Sequence, residues 1–277
     1  MEQTRIALVQ MNARLAETKN NLDKMETFIR EAADKKADMI CFPELCVQGY
    51  SRHHSGPTAE PLPGPSCGRI TDMAHRYRLV ILAGMAETSS TGKPYITQLV
   101  AFPDGKLFKY RKTHLGNSEK PNFTPGAELP VFSHANQNFA VQICWDLHFP
   151  EVTAILSLKG AEIIFAPHAS PTIVGNRREI WLKYMTARAY DNAVFLAACN
   201  LVGEDGAGHS FCGGALVIDP KGNIVAEAFN NREELLVADL DPVIINTIRR
   251  RESGSMRHSF YLNSRRPELY GELFKKG

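Results

Sequence analysis

Asn138-Phe139-Ala140-Val141-Gln142-Ile143-Cys144-Trp145-Asp146-Leu147-His148-Phe149-Pro150-Glu151 opens as an alternating apolar strand, meets a cysteine and turns into a helix. A thiol at a strand's end is lifted off the sheet onto a sharp turn, with the next backbone N–H groups free to face whatever the sulfur attacks. Cys144 is therefore a candidate nucleophile. A buried cysteine packed as a small hydrophobe is the commoner fate of a free thiol, so the rest of the chain has to decide.

Upstream, Arg5 to Met11 reads as a strand, and Glu17 to Ala37 as a helix with Leu22, Met25, Phe28, Ile29 and Ala32 at three- and four-residue intervals. A second strand, Asp38 to Phe42, follows at once and runs into Pro43-Glu44-Leu45, which puts Glu44 at a strand's carboxyl end, where ligands bind in open α/β sheets. Gln48 to Pro65 is rich in Gly, Pro, Ser and His and is expected to be a loop covering the substrate; His53 and His54 have no Cys or His partners at ligand spacing, so no metal is expected. A helix from Ser66 to Arg76, a buried strand from Leu79 to Met85 and a hairpin (Thr97 to Phe102, turn Pro103-Asp104-Gly105, Lys106 to Tyr110) then deliver Arg111-Lys112-Thr113-His114-Leu115.

Downstream the pattern repeats. A helix from Pro150 to Leu158 closed by Gly160, a strand from Ala161 to Ala166, a helix from Arg177 to Asp191 and a strand from Ala193 to Ala198 lead to a second hairpin, Gly214 to Ile218 and Asn223 to Ala228 around Asp219-Pro220-Lys221-Gly222. Two pseudo-repeated halves with mostly parallel buried strands predict an α/β fold in which two sheets pack face to face with helices on both flanks, a four-layer αββα sandwich. Residues 1–277 are expected to form a single domain. After a strand from Leu235 to Leu240, a helix-like Val243 to Arg251 and a polar, Arg-rich tail (about 243–277, with Tyr261, Tyr270 and Phe274) call for something to pack on, and a second subunit is the expected partner.

Bulk properties exclude several classes. With 44% hydrophobic and 22% charged residues the chain has ample material for a core, and a net charge of +2 supplies no field favouring nucleic acid or anionic lipid. No uninterrupted apolar run is long enough to span a bilayer, and Met1-Glu2-Gln3-Thr4-Arg5 leads straight into a strand, so a cytoplasmic location is expected. Six cysteines without a C-x-x-C pair do not form a disulfide framework; Cys41, Cys46, Cys67, Cys199 and Cys212 are expected to be reduced. No phosphate loop or dinucleotide fingerprint is present, because Gly203 to Gly208 does not open a helix, and no cofactor is implied.

Glu44, Lys112 and Cys144 thus stand at the ends of strand-like segments. Singly, each has a plain structural reading: a turn glutamate, one of several surface lysines, a packed thiol. Together, Phe42-Pro43-Glu44-Leu45, Tyr110-Arg111-Lys112-Thr113-His114-Leu115 and Cys144 to Glu151 resemble the motifs of the carbon–nitrogen hydrolase family, the nitrilase superfamily, whose members share a Glu-Lys-Cys triad in this order. Weaker matches continue at Lys159 to Ile164 and Gly213 to Gly222, so the resemblance covers almost the whole chain. It implies an αββα sandwich that forms dimers or higher homo-oligomers.

The resemblance further implies a thiol-dependent hydrolase that cleaves a non-peptide C–N bond of a small amide or N-carbamoyl amine through a thioester, releasing ammonia. Glu44 would act as the base, Cys144 as the nucleophile, and Lys112 with the backbone N–H of Trp145 as the oxyanion's stabilisers. Glu119, in the loop Ser118 to Gly126, matches a second glutamate that in the family positions the catalytic groups. Cys-Trp-Asp is similar to amidases and N-carbamoyl hydrolases, whereas nitrile-cleaving relatives commonly carry Cys-Trp-Glu. One carbamoylase branch places two arginines just after the nucleophile; Asp146, Leu147 and His148 stand there instead. Tyr50, Trp145, His168 and Ser170 are the expected pocket walls, and Arg177 with Arg178 is placed to hold a substrate carboxylate. The competing readings are a nitrilase, a papain-like pair of Cys144 with His114, His148, His168 or His209, and a non-catalytic binding subunit.

Overall fold

The computed structural model describes residues 1–51, 58–90, 92–249 and 258–275; His53 and His54 lie outside them. The first half supplies β1 (Thr4–Gln10), α1 (Thr18–Asp34), β2 (Met39–Cys41), α2 (Pro65–Tyr77), β3 (Val80–Glu87), β4 (Tyr95–Ala101) and β5 (Leu107–Arg111). The second supplies β6 (Phe132–His134), β7 (Gln137–Val141), a 3-10 turn (Cys144–His148), α3 (Pro150–Leu158), β8 (Ile163–His168), α4 (Arg177–Asn192), β9 (Phe195–Asn200), β10 (Val202–Glu204), β11 (Ser210–Cys212), β12 (Ala215–Ile218) and β13 (Ile224–Ala228). β14 (Glu234–Leu240) and α5 (Pro242–Arg249) follow.

One six-stranded sheet has the order β14-β1-β2-β3-β4-β5, the other β13-β12-β9-β8-β7-β6. Within the first, β1, β2 and β3 are parallel and β4, β5 antiparallel; within the second, β7, β8 and β9 are parallel and β12, β13 antiparallel. The halves are therefore equivalent strand for strand. The outer position beside β1 is filled by β14 from the chain's far end, and that beside β7 by β6, each antiparallel.

Alternation along the strands makes the layers. Phe139, Val141, Ile163, Phe165, Phe195 and Ala197 join residues of β1 to β3 in the cluster between the sheets. Their neighbours on the opposite strand faces meet the helices: Ala140 and Ile164 pack with Val152 and Leu156 of α3, and Ala166, Leu196 and Ala198 with Trp181 and Met185 of α4. Burying each large apolar side chain in this way contributes about 2 kcal/mol. Both faces of β8 are covered, which is why it reads as a continuous apolar run rather than an alternating one.

Several boundaries differ from the sequence expectation. The strand leading to Cys144 stops at Val141, because Cys144 has a positive φ of 46° that no extended strand accommodates. β9 begins at Phe195 rather than Ala193, which closes α4 in the left-handed conformation. The short strands β6, β10 and β11 were not anticipated, and α5 is described only to Arg249. All six cysteines are free. Among the described residues no helix is long and apolar enough to cross a membrane.

Candidate active site

Parallel strands bring their carboxyl ends to one edge, and β5, antiparallel to an antiparallel neighbour of β3, ends on the same side. Glu44 follows β2, Lys112 follows β5, Cys144 follows β7, and Ser170 follows β8. Lys112 Nζ donates to Glu44 Oε1 at 2.7 Å and to both Glu119 oxygens at 2.8 Å. Glu119 also accepts from Tyr50 OH (3.0 Å) and from the Gly116 N–H (2.7 Å), while Glu44 Oε2 accepts from the Ala169 N–H at 3.0 Å. All three charged side chains are buried. Two carboxylates thus share one ammonium away from water.

Burial, reinforced by the Glu119 charge, pushes the Glu44 carboxyl up to about 7 against the opposing pull of Lys112. Burial pulls the Lys112 ammonium down, but Glu44 and Glu119 outweigh it and hold the group well above the ordinary lysine value. The Cys144 thiol is pushed up to about 12 by burial and by the Glu44 charge, with Lys112 opposing. It is therefore protonated at neutral pH and needs a base.

Cys144 opens the 3-10 turn with its side chain half-buried, Sγ lying 4.0 Å from Ser170 Oγ. The turn is latched by Asp146. Its Oδ1 accepts from Thr113 Oγ1 (3.0 Å) and the His114 N–H (2.8 Å), and its Oδ2 from Tyr110 OH (2.7 Å) and the Ile143 N–H (2.9 Å). This fully buried carboxylate does not face the cleft; it ties the Cys144 turn to the segment carrying Lys112.

Cys144, Lys112 and Glu119 face a cleft of about 450 Å³, and so do the four expected wall residues, Tyr50, Trp145, His168 and Ser170, together with Arg177. Glu44 stands one layer behind, bonded to Lys112 and Ala169. Arg178 points away from the cleft, in an ion pair with Glu227 at 2.7 Å. His168 Nδ1 donates to the Ala166 carbonyl at 2.8 Å, burial pushes its imidazole well below the usual range, and Nε2 has no partner among the described residues. Asn200 fixes Ser170 by accepting from its N–H (2.7 Å) while donating to the Gly213 carbonyl (2.8 Å).

The sequence reading missed Ile180, Tyr184 and His148 on the cleft wall. Positions 177, 180 and 184 share one face of α4, a three-and-four spacing that was legible. His148 sits between Trp145 and Tyr184, with ring centroids 4.9 Å and 4.8 Å away. The papain-like pairing finds no support in the contacts: His114 stacks on Phe149 at 3.9 Å, His209 bonds Asp205 at 2.7 Å, and among the described residues no histidine is bonded to Cys144.

Comparison with known proteins agrees with this geometry. The carbon–nitrogen hydrolase family model matches residues 5–250. The chain is 32% identical over 98% of its length to a hydrolase in the pqqF 5' region of Pseudomonas protegens, covering 92% of that protein. It is 29% identical to an omega-amidase of Saccharomyces cerevisiae, covering 90% of each chain. Among solved structures, a mutant of the Nesterenkonia sp. AN1 amidase superposes with a TM-score of 0.82 at 26% identity, covering 98% of this chain and 97% of that one. That structure shows covalent addition of the acetamide moiety of fluoroacetamide at the active site cysteine. By motif, fold and site geometry alike, the chain belongs to the carbon–nitrogen hydrolase family.

Proposed function

We propose that this hydrolase cleaves the C–N bond of a small amide or N-carbamoyl amine with Cys144 as nucleophile, Glu44 as general acid and base, Lys112 as oxyanion stabiliser and Glu119 as the anchor of Lys112. The observation that carries this reading is the buried Lys112 ammonium held by Glu44 and Glu119 in the wall of the cleft that Cys144 faces. With a Glu44 carboxyl at about 7 and a Cys144 thiol at about 12, proton transfer from sulfur to carboxylate is unfavourable alone and is coupled to attack.

As Sγ bonds to the carbonyl carbon, the thiol proton passes to Glu44 and the carbonyl oxygen becomes an oxyanion held by Lys112 and the Trp145 N–H. On collapse the C–N bond breaks, Glu44 returns its proton to the nitrogen, and ammonia or an amine leaves a thioester on Cys144. Water then gives a proton to Glu44 and attacks the thioester, Sγ departs with that proton, and the acid is released. The fluoroacetamide adduct of the Nesterenkonia amidase, in which the acetamide moiety is carried by the active site cysteine, supports a cysteine nucleophile at this place in the fold.

Cys144→Ala is expected to lose at least ~10³-fold in turnover while keeping the parent's melting temperature. Intact mass measured after brief exposure to small amides, with ammonia followed in parallel, is expected to show a substrate-sized thioester in the parent only. Amide hydrolysis by Cys144→Ala at near the parental rate would sink the assignment. A relative from Pyrococcus abyssi, 33% identical, bears the name nitrilase, and including nitriles in the same panel separates that activity by whether they yield acid.

We propose in addition that the chain is one domain working in the cytoplasm as a homodimer or larger homo-oligomer, with about residues 243–277 against a second subunit. Leu269, Leu273 and Phe274, exposed by 61%, 63% and 84%, support that contact.

A further inference from the structure

The two walls of the cleft differ in how their charges are satisfied. On one, Lys112, Glu44, Glu119 and Tyr50 bond one another and adjacent backbone N–H groups. On the other stands Arg177, the first residue of α4 and only 9% exposed, whose buried Nε–H finds no acceptor among the described residues. Among the described residues no carboxylate lies within ion-pair distance of its guanidinium. Glu179 on the same helix accepts from Asn176 Nδ2 at 2.8 Å, Glu227 pairs with Arg178, and Glu119 on the same cleft is turned toward Lys112.

The Arg177 charge nevertheless acts inside the cleft, where it bears on Cys144, His148, His168 and Tyr184. Burying a lone cation costs several kcal/mol unless a counter-ion returns the loss, and the described residues supply none. The positive end of the α4 dipole deepens the preference for an anion at this place. A planar guanidinium presents parallel N–H donors whose best complement is a carboxylate with two oxygens.

We propose that Arg177 determines specificity by holding the carboxylate of the substrate while its amide lies over Cys144, so that the enzyme acts on carboxylate-bearing amides. This rests on the amidase reading of the same cleft. The carboxylate can stand on the acyl side, as in a monoamide of a short dicarboxylic acid, or on the leaving amine, as in an N-carbamoyl amino acid. The mass of the Cys144 thioester separates the two, since only the first retains the carboxylate on the enzyme.

The test compares kcat/KM for succinamate and glutaramate with that for the neutral amides butyramide and pentanamide, in the parent, Arg177→Lys and Arg177→Leu. N-carbamoyl-β-alanine, against a carbamoylated neutral amine, covers the second arm. The parent is expected to prefer the charged member of at least one pair by tenfold or more. That ratio should fall by about 10- to 100-fold in Arg177→Leu, chiefly through KM, and to an intermediate value in Arg177→Lys, which keeps the charge and loses the fork. Using the ratio removes any loss common to both substrates, such as loosening of α4.

A binding measurement independent of turnover accompanies it: protection of Cys144 from iodoacetamide by glutarate, expected in the parent and weakened at least tenfold in Arg177→Leu. Amide turnover with no charge preference in any pair, together with glutarate protection that ignores Arg177, overturns the carboxylate subsite and leaves the amidase reading standing. Arg177-dependent protection without turnover of any amide does the reverse.

Discussion

In the proposed mechanism the kinetic behaviour of the site rests on one carboxyl, that of Glu44. Its proton affinity, raised to about 7 by burial and by Glu119, makes it a base only when ionised, hence only above that value. The expected profile of kcat/KM therefore climbs as pH rises through about 7 and levels off beyond it, while Lys112, held well above its ordinary value, stays an ammonium throughout. Steady-state rates from about pH 5 to about pH 9 check this, and a profile flat down to the acid end would remove Glu44 from the base role. The same shift has a cost in stability. A carboxyl that binds its proton more tightly folded than unfolded favours the fold fully at low pH, and that contribution is lost as pH rises through the folded value of about 7. The environment that suits Glu44 to proton transfer is one the fold tolerates rather than prefers.

Turns, not the regular elements they join, set the distances between the reactive groups. Cys144 and Leu45 both adopt positive φ, 46° and 53°, so each of the two segments proposed as catalytic leaves its strand through a left-handed residue without a glycine's freedom. Two glycines make room behind them. A Cβ on Gly84 of β3 would meet Leu45 N at 2.3 Å and Pro43 O at 2.5 Å, and one on Gly126 would meet Arg111 O at 2.3 Å, just before Lys112. Gly84→Ala is accordingly expected to cost about 1–3 kcal/mol of stability and to reduce kcat by pushing the Pro43–Leu45 turn, and Glu44 with it, away from Lys112. Denaturant unfolding and ammonia release together test this; a variant matching the parent in both would mean that the turn is not held where β3 places it. The Asp146 latch works on the opposite side, fastening the Cys144 turn to the loop after β5.

Neither half of the molecule contains the site. Glu44, Lys112 and Glu119 come from the first half, Cys144, Ser170 and Arg177 from the second, and they meet because the equivalent strands of the two sheets end at the same edge. The chain closes this arrangement by returning β14 from its far end to β1, and α5 follows with Arg249 bonded to the carbonyls of Ala193 and Ala161. Beyond it the last described turns leave Leu269, Leu273 and Phe274 largely in water. Sedimentation at micromolar concentration is expected to give a mass of at least two 30.8 kDa chains, shifting toward one in a Leu273→Asp, Phe274→Asp variant. A monomeric parent, or a double variant that assembles as before, would show that this surface is not the contact.

Local chemistry alone carried much of this. Alternation and helical spacing reported which faces of β7 and α1 are apolar, and the ordered Glu44, Lys112 and Cys144 motifs pointed to one cleft, because strand ends and turn residues leave signatures in the sequence next to them. Three-residue strands such as β6 and β10 are too short to show a period, and the start of β9 moved because Ala193 was needed to close a helix. Asp146 read as a mark of substrate class; only the packed chain reveals it as a buried latch between two loops. Arg177 and Arg178 are adjacent and chemically identical, yet Glu227 neutralises one while the other is left charged in the cleft. A side chain's pairing depends on what distant segments bring within a few ångströms of it, and that is a property of the tertiary structure.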